Sequence, residues 1–376
     1  MEQKSFLVSA RKYRPQRWET VVGQEGVTST LQKAIATGEI GQAYLFCGPR
    51  GVGKTTCARI FARAINEENA GEADAPTLDI ASGDEGNDWS FNVFELDAAS
   101  NNKVDDIRSL TDQVRIPPQV GKYKVYIIDE VHMLSKAAFN AFLKTLEEPP
   151  PHAIFILATT EKHQVIPTIL SRCQIFDFSR ITIPGMVDQL QRIVVDKGIQ
   201  AEDEALHVIA QKADGAMRDA LSIFDQVVAF TDGNLTYDSV TKNLNVLGHE
   251  LYFKITSQIL AEDIPNCLLD LNGVVRKGFD LHHFLTGLGE HFRNLMVAQH
   301  PETVDILEVS DGVKEQYKTQ AAESELSLLK NALHELNDAD RQFKGSRNQR
   351  LLIELTLMKL CSLPARIREK KKAALA

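Results

Sequence analysis

An eight-residue stretch, Gly48-Pro49-Arg50-Gly51-Val52-Gly53-Lys54-Thr55, constrains this chain more than any other feature of its sequence. It matches the pattern G-x-x-x-x-G-K-T, in which glycines allow backbone N–H groups to converge on phosphate oxygens. A short apolar run, 43–47, precedes the stretch, and a helical pattern over 55–65 follows it. A chance glycine turn is the alternative, but a strand before the loop and a helix after it are the context in which this pattern binds phosphate. The sequence therefore predicts a nucleotide site.

Side chains at the end of this phosphate loop have predicted roles of their own. Lys54 is expected to reach the β- and γ-phosphates, and the Thr55 hydroxyl is expected to ligate Mg²⁺. The loop residues that we expect to bind nucleotide are Gly48, Gly51, Val52, Gly53, Lys54, Thr55 and Thr56.

The first half of the chain alternates between strand and helix patterns. Five apolar runs are typical of strands, at 43–47, 93–97, 124–128, 153–159 and 174–178. Near-continuous apolar strands separated by helices indicate a buried parallel sheet with helices on both faces. One such helix carries Phe139, Phe142 and Leu146 on a single face and must end before the three prolines at 149–151. The expected fold class is an α/β P-loop NTPase with a five-stranded parallel sheet.

An acidic pair, Asp129-Glu130, follows the third predicted strand. Asp129 is expected to hold the Mg²⁺ shell and Glu130 to polarise the attacking water. Alone, such a pair is more often a solvated turn. Here it follows an intact phosphate loop at a distance that leaves room for one more strand, so Lys54, Thr55, Asp129 and Glu130 together predict hydrolysis rather than nucleotide binding alone.

Hydrolysis also requires positive charge at the γ-phosphate in the transition state. Two arginines are candidates: Arg218, which opens a predicted helix, and Arg172, which precedes the last predicted strand. Each could instead be an ordinary surface arginine, and spacing does not decide between the two roles.

The remainder of the chain has helical patterns, and strands are expected to stop near Pro184. A chain of 376 residues exceeds one ordinary core, so several domains are expected. We predict an α/β domain at 1–180, a three-helix lid at 181–245 and an all-α collar at 246–376. The basic residues 366–372 are expected to form a solvated tail or the start of a linker.

Composition limits the classes of function. Hydrophobic residues make up 43% and charged residues 25%, which is typical of a soluble globular protein. No apolar run is long enough to span a bilayer and the N-terminus lacks a secretion pattern, so a cytoplasmic location is expected. A formal net charge of −9 argues against binding nucleic acid by bulk electrostatics, so DNA contact requires a local basic face.

These features resemble the AAA+ clamp loader family, in its gamma/tau branch from bacterial DNA polymerase III. The resemblance covers residues 10 to about 225 in order, and the later helices match as a collar domain of suitable length. Besides the phosphate loop, it is carried by the segments 10–15, 21–24, 95–100, 128–134, 143–150, 157–160, 171–173 and 215–221.

The resemblance implies roles for further residues. Thr160, or else Thr159, would contact the γ-phosphate or its water as sensor 1, and Arg218 would be sensor 2. Arg172 would be an arginine finger that acts on ATP in a neighbouring subunit, so hydrolysis would depend on assembly. The adenine edge, formed mostly by backbone and apolar contacts, would comprise Tyr13, Arg14, Pro15, Val22 and Gly23.

The resemblance also implies partners. These are other clamp loader subunits joined through the collar, as homo- or hetero-oligomers, a sliding clamp, and primer-template DNA held through its backbone. No membrane is expected among them. A solvated charged helix face is the alternative for each residue expected to bind DNA phosphates. Those residues are Asn102, Lys103, Arg108 and Lys136.

One departure from the family pattern lies in the acidic insertion 66–92. The family usually carries four zinc-binding cysteines there, and this chain has no cysteine in the insertion. Carboxylates such as Glu67, Asp74 and Asp79 are poor replacements for a thiolate site. We therefore expect no structural zinc.

The expected function is that of an ATP-hydrolysing motor subunit of the DNA polymerase III clamp loader. ATP binding would assemble an arc that opens the clamp, and hydrolysis would release the clamp on primer-template DNA. A non-hydrolysing structural subunit is one alternative, disfavoured by the intact phosphate loop. Another AAA+ DNA motor, such as a branch-migration helicase, is a second alternative, disfavoured by residues 171–173 and by the helical C-terminal third.

Overall fold

The computed structural model describes residues 8–68, 92–119, 121–231, 233–244 and 246–375 of the chain. These residues fall into two compact units. The first comprises Met1–Lys197 and Ala210–Gln226, and the second comprises Gly198–Ile209 and Val227–Ala376. Because this division does not follow the expected domain boundaries near 180 and 245, those boundaries stay a prediction.

A five-stranded parallel sheet forms the centre of the first unit, in the spatial order β2-β3-β4-β1-β5. Cys47 pairs with Thr159 on one side and Asp177 on the other. The carboxyl ends of neighbouring strands therefore meet at one edge, where parallel sheets bind ligands. The strands match the predicted runs to within one residue, which confirms the α/β fold class: β1 (Ala43–Cys47), β2 (Val93–Asp97), β3 (Lys124–Asp129), β4 (Ala153–Thr159) and β5 (Gln174–Asp177).

Helices cover both faces of this sheet, as predicted, because successive side chains of a strand point to opposite faces. Tyr126 and Phe155 pack with Phe142 on one face, whereas Tyr44 packs with Phe61 on the other. The helices of this part of the chain are α1 (Ser9–Lys12), α2 (Glu25–Thr37), α3 (Lys54–Glu68), α4 (Val104–Val114), α5 (Lys136–Glu147), α6 (Pro167–Leu170) and α7 (Ile183–Lys197).

The stretch expected to be a three-helix lid contains more elements than the sequence predicts. After α7 come α8 (Asp203–Lys212), α9 (Met217–Phe230) and a fourth, short helix, α10 (Tyr237–Asn243). The expectation that strands stop near Pro184 is wrong, because β6 (Gln200–Ala201) and β7 (Asn234–Leu235) pair in parallel. Two-residue strands are too short for any periodicity to reveal.

The rest of the second unit is helical around a single apolar cluster, as predicted. Residues 366–372, expected to form a tail or linker, continue the last helix instead. No helix within the described residues is both long enough and apolar enough to cross a membrane. The helices are α11 (His249–Leu260), α12 (Ile264–Arg276), α13 (Leu281–Ala298), α14 (Asp311–Glu323), α15 (Leu326–Phe343) and α16 (Gln349–Leu375).

Candidate nucleotide-binding site

A cleft of about 420 Å³ opens in the first unit, beside the ends of β1 and β3. Its lining combines the phosphate loop, the acidic pair Asp129-Glu130 and two N-terminal segments, 10–15 and 20–22. The side chains predicted to bind phosphate and those predicted to bind magnesium therefore line the same cleft.

The phosphate loop takes its shape from glycines that no other residue could replace without strain. Gly48 has φ +147°, and a Cβ built there would lie 2.4 Å from the carbonyl oxygen of Phe178. Gly51 and Gly53 also have positive φ, at +77° and +105°. Such angles favour glycine, and they turn consecutive N–H groups toward the space at the start of α3.

The ammonium of Lys54 is held at the mouth of the loop. Its Nζ donates to the carbonyl oxygens of Gly48 and Pro49, at 2.8 and 2.7 Å. Burial lowers the pKa of Lys54, and the nearby carboxylates of Glu130 and Asp129 oppose that shift. A largely desolvated cation at the first residue of a helix is well placed to attract phosphate oxygens.

Thr55 and Asp129 meet directly, although they are far apart in sequence. The Thr55 hydroxyl donates to Oδ2 of Asp129 over 2.7 Å. One hydroxyl and one carboxylate are hard oxygen donors, the type that Mg²⁺ prefers. The residues present at this point therefore fit a magnesium ion.

Glu130 is held by the end of the neighbouring strand. Its Oε2 accepts hydrogen bonds from the Thr160 hydroxyl at 3.1 Å and from the Thr160 backbone N–H at 3.3 Å. Its own backbone is left-handed, with φ +48°. A non-glycine residue in this conformation is uncommon and points to a position fixed by its surroundings.

The segment expected to be the adenine edge lines the cleft at Tyr13, Arg14, Pro15 and Val22, whereas Gly23 is not among the lining residues. Arg14 differs from the expectation of apolar and backbone contacts, because its Nε donates to the Thr56 hydroxyl at 3.2 Å. Burial and the charge of Arg59 lower the pKa of Arg14.

The two candidate arginines occupy different places. Arg218 lines the cleft, and its backbone N–H donates to the carbonyl of Gly51 at 3.4 Å. Arg172 is not among the residues that line the cleft. Its guanidinium instead bonds Glu147 and the carbonyl of Thr168, both at 2.7 Å. Of the two candidates, therefore, Arg218 lies beside the nucleotide cleft of its own chain and Arg172 does not.

The residues predicted to contact DNA gather at the starts of two adjacent helices. The Ser135 N–H donates to the carbonyl of Asn102 at 3.5 Å, so the N-termini of α4 and α5 are neighbours. Asn102, Lys103 and Lys136 are exposed there. Arg108 is also exposed and lies 3.6 Å from Asp105, one turn along α4.

Two residues of this region are missing from the sequence-based prediction. Gln24 is buried, and its side-chain amide donates to the carbonyl of Ser179 at 2.8 Å. This hydrogen bond connects the segment before α2 to the residues that follow β5. His132 contacts Thr159 beside Glu130. Both lie in segments that carried the family resemblance, but no spacing pattern indicates a role for either.

Three family models match consecutive parts of the chain. The model described as the DNA polymerase III delta subunit matches residues 23–182. The model of the ATPase lid domain of the DNA polymerase III clamp loader subunit matches 186–233. The model of domain III of the DNA polymerase III subunits gamma and tau matches 235–374.

Similar proteins cover nearly the whole chain. DNA polymerase III subunit tau of Bacillus subtilis is 42% identical over 95% of this chain, and the chain spans 63% of its length. DNA polymerase III subunit gamma of Buchnera aphidicola is 30% identical over 95% of this chain and 99% of its own length. Among solved structures, the RuvB Holliday junction branch migration motor of Thermotoga maritima aligns at 23% identity and a TM-score of 0.48, over 66% of this chain and 79% of that one.

Proposed function

Because the chain belongs to the gamma/tau family of DNA polymerase III clamp loader subunits, we propose that it is an ATP-hydrolysing motor subunit of a clamp loader. The observation that carries the proposal is the 2.7 Å hydrogen bond between Thr55 and Asp129, beside Lys54 and Glu130 in one cleft. A subunit that only binds nucleotide does not need the complete set.

Each of these side chains has a chemical task in the proposed reaction. Lys54 neutralises charge on the β- and γ-phosphates. Thr55 and Asp129 would hold Mg²⁺, which would supply further charge neutralisation. Glu130 polarises the attacking water as a general base. Thr160 holds the Glu130 carboxylate, which supports its assignment as sensor 1 in preference to Thr159.

The remaining positive charge comes from two arginines with different access to the nucleotide. Arg218 lines the cleft of its own chain and serves as sensor 2. The residues that surround the phosphates are Gly48, Gly51, Val52, Gly53 and Thr56. Arg172 lies outside that cleft and acts as an arginine finger on ATP bound by an adjacent subunit. Turnover then requires assembly, because the guanidinium that stabilises the transition state arrives from a neighbour.

The same arrangement links ATP to clamp and DNA. Bound ATP assembles the subunits, joined through the collar, into an arc that opens a sliding clamp, and hydrolysis releases the clamp on primer-template DNA. The adjacent starts of α4 and α5 present backbone N–H groups with Asn102, Lys103, Arg108 and Lys136, a surface suited to phosphates rather than bases.

Other parts of the proposal rest on sequence alone. The expectation that the chain holds no structural zinc depends on the insertion 66–92. Residues 69–91 of that insertion lie outside the described residues. The lid and collar boundaries and the cytoplasmic location also stay predictions. The adenine edge is assigned to Tyr13, Pro15, Val22 and Gly23, with Arg14 turned toward Thr56.

ATP binding and turnover by two variants test this function. Lys54→Ala should abolish ATP binding by the isolated chain. Arg172→Ala should leave that binding intact but suppress turnover in the complex with partner subunits, clamp and primed DNA. Arg192→Ala, an exposed arginine of α7, is the matched control and should behave as wild type.

The outcomes separate the parts of the proposal. If the wild-type chain has no affinity for ATP and Mg²⁺, the motor function is wrong. Binding without turnover in the full complex would indicate a structural subunit. Full DNA-stimulated turnover by Arg172→Ala would refute the finger assignment alone.

A further inference from the structure

His132 lies beside the catalytic acid without belonging to the expected catalytic set. It occupies a single turn of 3₁₀ helix, Val131–Met133, immediately after Glu130. Its side chain is only 7% exposed. Its Nδ1 lies 3.0 Å from the Thr159 hydroxyl and 3.5 Å from Oε2 of Glu130. A buried imidazole therefore touches the ends of two adjacent strands.

Thr159 extends this contact to the phosphate loop. The Thr159 hydroxyl accepts the Glu161 N–H at 3.0 Å, and the Thr159 carbonyl accepts the Gly48 N–H at 3.2 Å. Thr159 is fully buried. A shift of the loop at Gly48 is thus connected through one residue to the imidazole, and through the imidazole to Glu130.

The surroundings of His132 indicate which nitrogen carries the proton. A carboxylate can only accept, and the Thr159 hydroxyl keeps one lone pair free after accepting from Glu161. A lone pair on Nδ1 would face the negative Oε2 of Glu130, whereas an N–H on Nδ1 donates to the Thr159 hydroxyl and places a partial positive charge near Oε2, which lies 3.5 Å from Nδ1. The other nitrogen, Nε2, is 3.9 Å from Oε1 of Glu161, beyond hydrogen-bond distance.

We propose that His132 is a positioning residue for ATP hydrolysis, in which Nδ1–H, bonded to Thr159 and in electrostatic contact with Glu130, fixes the direction of the Glu130 carboxylate. The proposal rests on the function proposed above, and it deepens that function by joining the phosphate loop to the general base. Thr160 donates two hydrogen bonds to the same oxygen of Glu130, so residues that follow two adjacent strands both contact this carboxylate.

A positioning role predicts loss of turnover without loss of nucleotide binding. In the complex with partner subunits, clamp and primed DNA, His132→Ala should lower kcat about 10- to 100-fold, the scale expected when a catalytic group is misplaced by about 1 Å. The affinity of the isolated variant for ATP should stay within about twofold of wild type, because His132 is not among the residues that line the cleft.

Two amide variants separate positioning from packing. His132→Asn places an amide near the site of Nδ1 and should recover kcat to within about fivefold of wild type, whereas His132→Gln places its amide near Nε2 and should stay as impaired as His132→Ala. His163→Asn is the matched control, because His163 lies on the same edge, 3.5 Å from Glu161, with a side chain that is 78% exposed.

The possible outcomes distinguish a positioning role of His132 from a packing role. Recovery by Asn but not by Gln, with normal ATP binding, supports the proposal. Equal impairment by Asn and Gln, or a loss of ATP affinity as large as the loss of kcat, would show that His132 only packs. If wild type turns over and His132→Ala is unimpaired, this proposal alone is wrong, whereas a wild type without turnover removes the proposed function itself.

Discussion

The guanidinium of Arg172 lies 2.7 Å from the carboxylate of Glu147, the last residue of α5. A second nitrogen of the same guanidinium donates to the carbonyl of Thr168, in α6, at 2.7 Å. The side chains of Arg172 and Glu147 are 34% and 47% exposed, so the pair sits at the surface in a fixed orientation. In the proposed function Arg172 acts on a neighbouring subunit, and the ion pair with Glu147 would orient its guanidinium before the subunits meet.

Glu147→Gln keeps the shape of the side chain and removes the ion pair with Arg172. We expect kcat of the assembled complex to fall about three- to tenfold, roughly 0.7 to 1.4 kcal/mol, because a charge-assisted hydrogen bond that orients the finger is lost. ATP binding by the isolated chain should not change. Glu148→Gln removes the adjacent negative charge but not the ion pair, so it should leave kcat unaltered; an equal effect of both variants would assign the loss to net charge.

Gly48→Ala tests the strain argument at the phosphate loop. The added Cβ would lie 2.4 Å from the Phe178 carbonyl, and φ +147° is unfavourable for alanine. We expect a loss of about 1–3 kcal/mol in the free energy of unfolding of the first unit, together with loss of ATP binding. Urea unfolding followed by tryptophan fluorescence measures this, since Trp18 packs against Phe61 in the first unit.

The control for Gly48→Ala is Gly26→Ala, in the first turn of α2. A Cβ at Gly26 meets no atom within 4 Å. Alanine also favours the helix over glycine, by up to about 1 kcal/mol. The control should therefore be neutral or slightly stabilising. Equal destabilisation by both substitutions would contradict the strain argument.

The sequence predicts the strands and the phosphate loop well because each depends on local pattern. β4 is an unbroken apolar run, and the loop is a contiguous motif. The bond between Thr55 and Asp129 could also be expected, since both residues have roles toward the same ion. The family membership, predicted from the ordered motifs, is confirmed by the matched families and relatives.

The rest depends on contacts that no local pattern encodes. Glu147 and Arg172 meet only because α5 and α6 pack together, and Thr159 reaches His132 only through the pairing of β3 with β4. The β6–β7 pair is two residues long on each side, below the length at which alternation is detectable. Long-range side-chain pairs outside the recognised motifs, and very short strands, are therefore not predictable from local sequence patterns.

Asp225→Asn should loosen the N-terminal segment that borders the cleft. Asp225, on α9, accepts from the Ser9 N–H and hydroxyl, both at 2.5 Å, and pairs with Lys197 at 3.0 Å. The pair is largely buried, with side chains 12% and 21% exposed. Removing the charge of Asp225 should cost about 1–3 kcal/mol in the free energy of unfolding, because partly buried donors lose their charged acceptor. It should also weaken ATP binding, because Ser9 precedes the lining segment 10–15.

Asp196→Asn is the matched control for that variant. Asp196 pairs with Lys12 at 2.7 Å, but the two side chains are 54% and 48% exposed. Exposed pairs contribute less than about 1 kcal/mol. Urea unfolding of the two variants should therefore differ clearly, and similar losses of unfolding free energy in both would show that burial of the Asp225 pair has no special weight. Asp196→Asn serves as a control for stability alone, because Asp196 also accepts from the hydroxyl of Tyr13, which lines the cleft.

The second unit should lose stability in mild acid through His291. Burial lowers the pKa of His291 to about 3. Its two ring nitrogens meet the Tyr317 hydroxyl at 3.0 Å and Oε1 of Gln320 at 3.1 Å. Gln320 donates its own amide to the Phe253 carbonyl, which leaves Oε1 to accept from Nε2–H of His291. The network therefore requires a neutral imidazole, with Nδ1 accepting from tyrosine.

The sign of the pH dependence follows from this depressed pKa. The unfolded chain binds a proton near the ordinary value of 6.5 and the folded unit does not, so the stabilisation is complete above pH 6.5 and is lost as pH falls toward 3. The slope should approach about 1.4 kcal/mol per pH unit within that window. His291→Gln cannot titrate, so thermal unfolding of the variant should show a shallower decline between pH 6.5 and 4. Parallel curves for the two proteins would mean that other groups account for the acid sensitivity, such as His249, whose pKa desolvation also lowers.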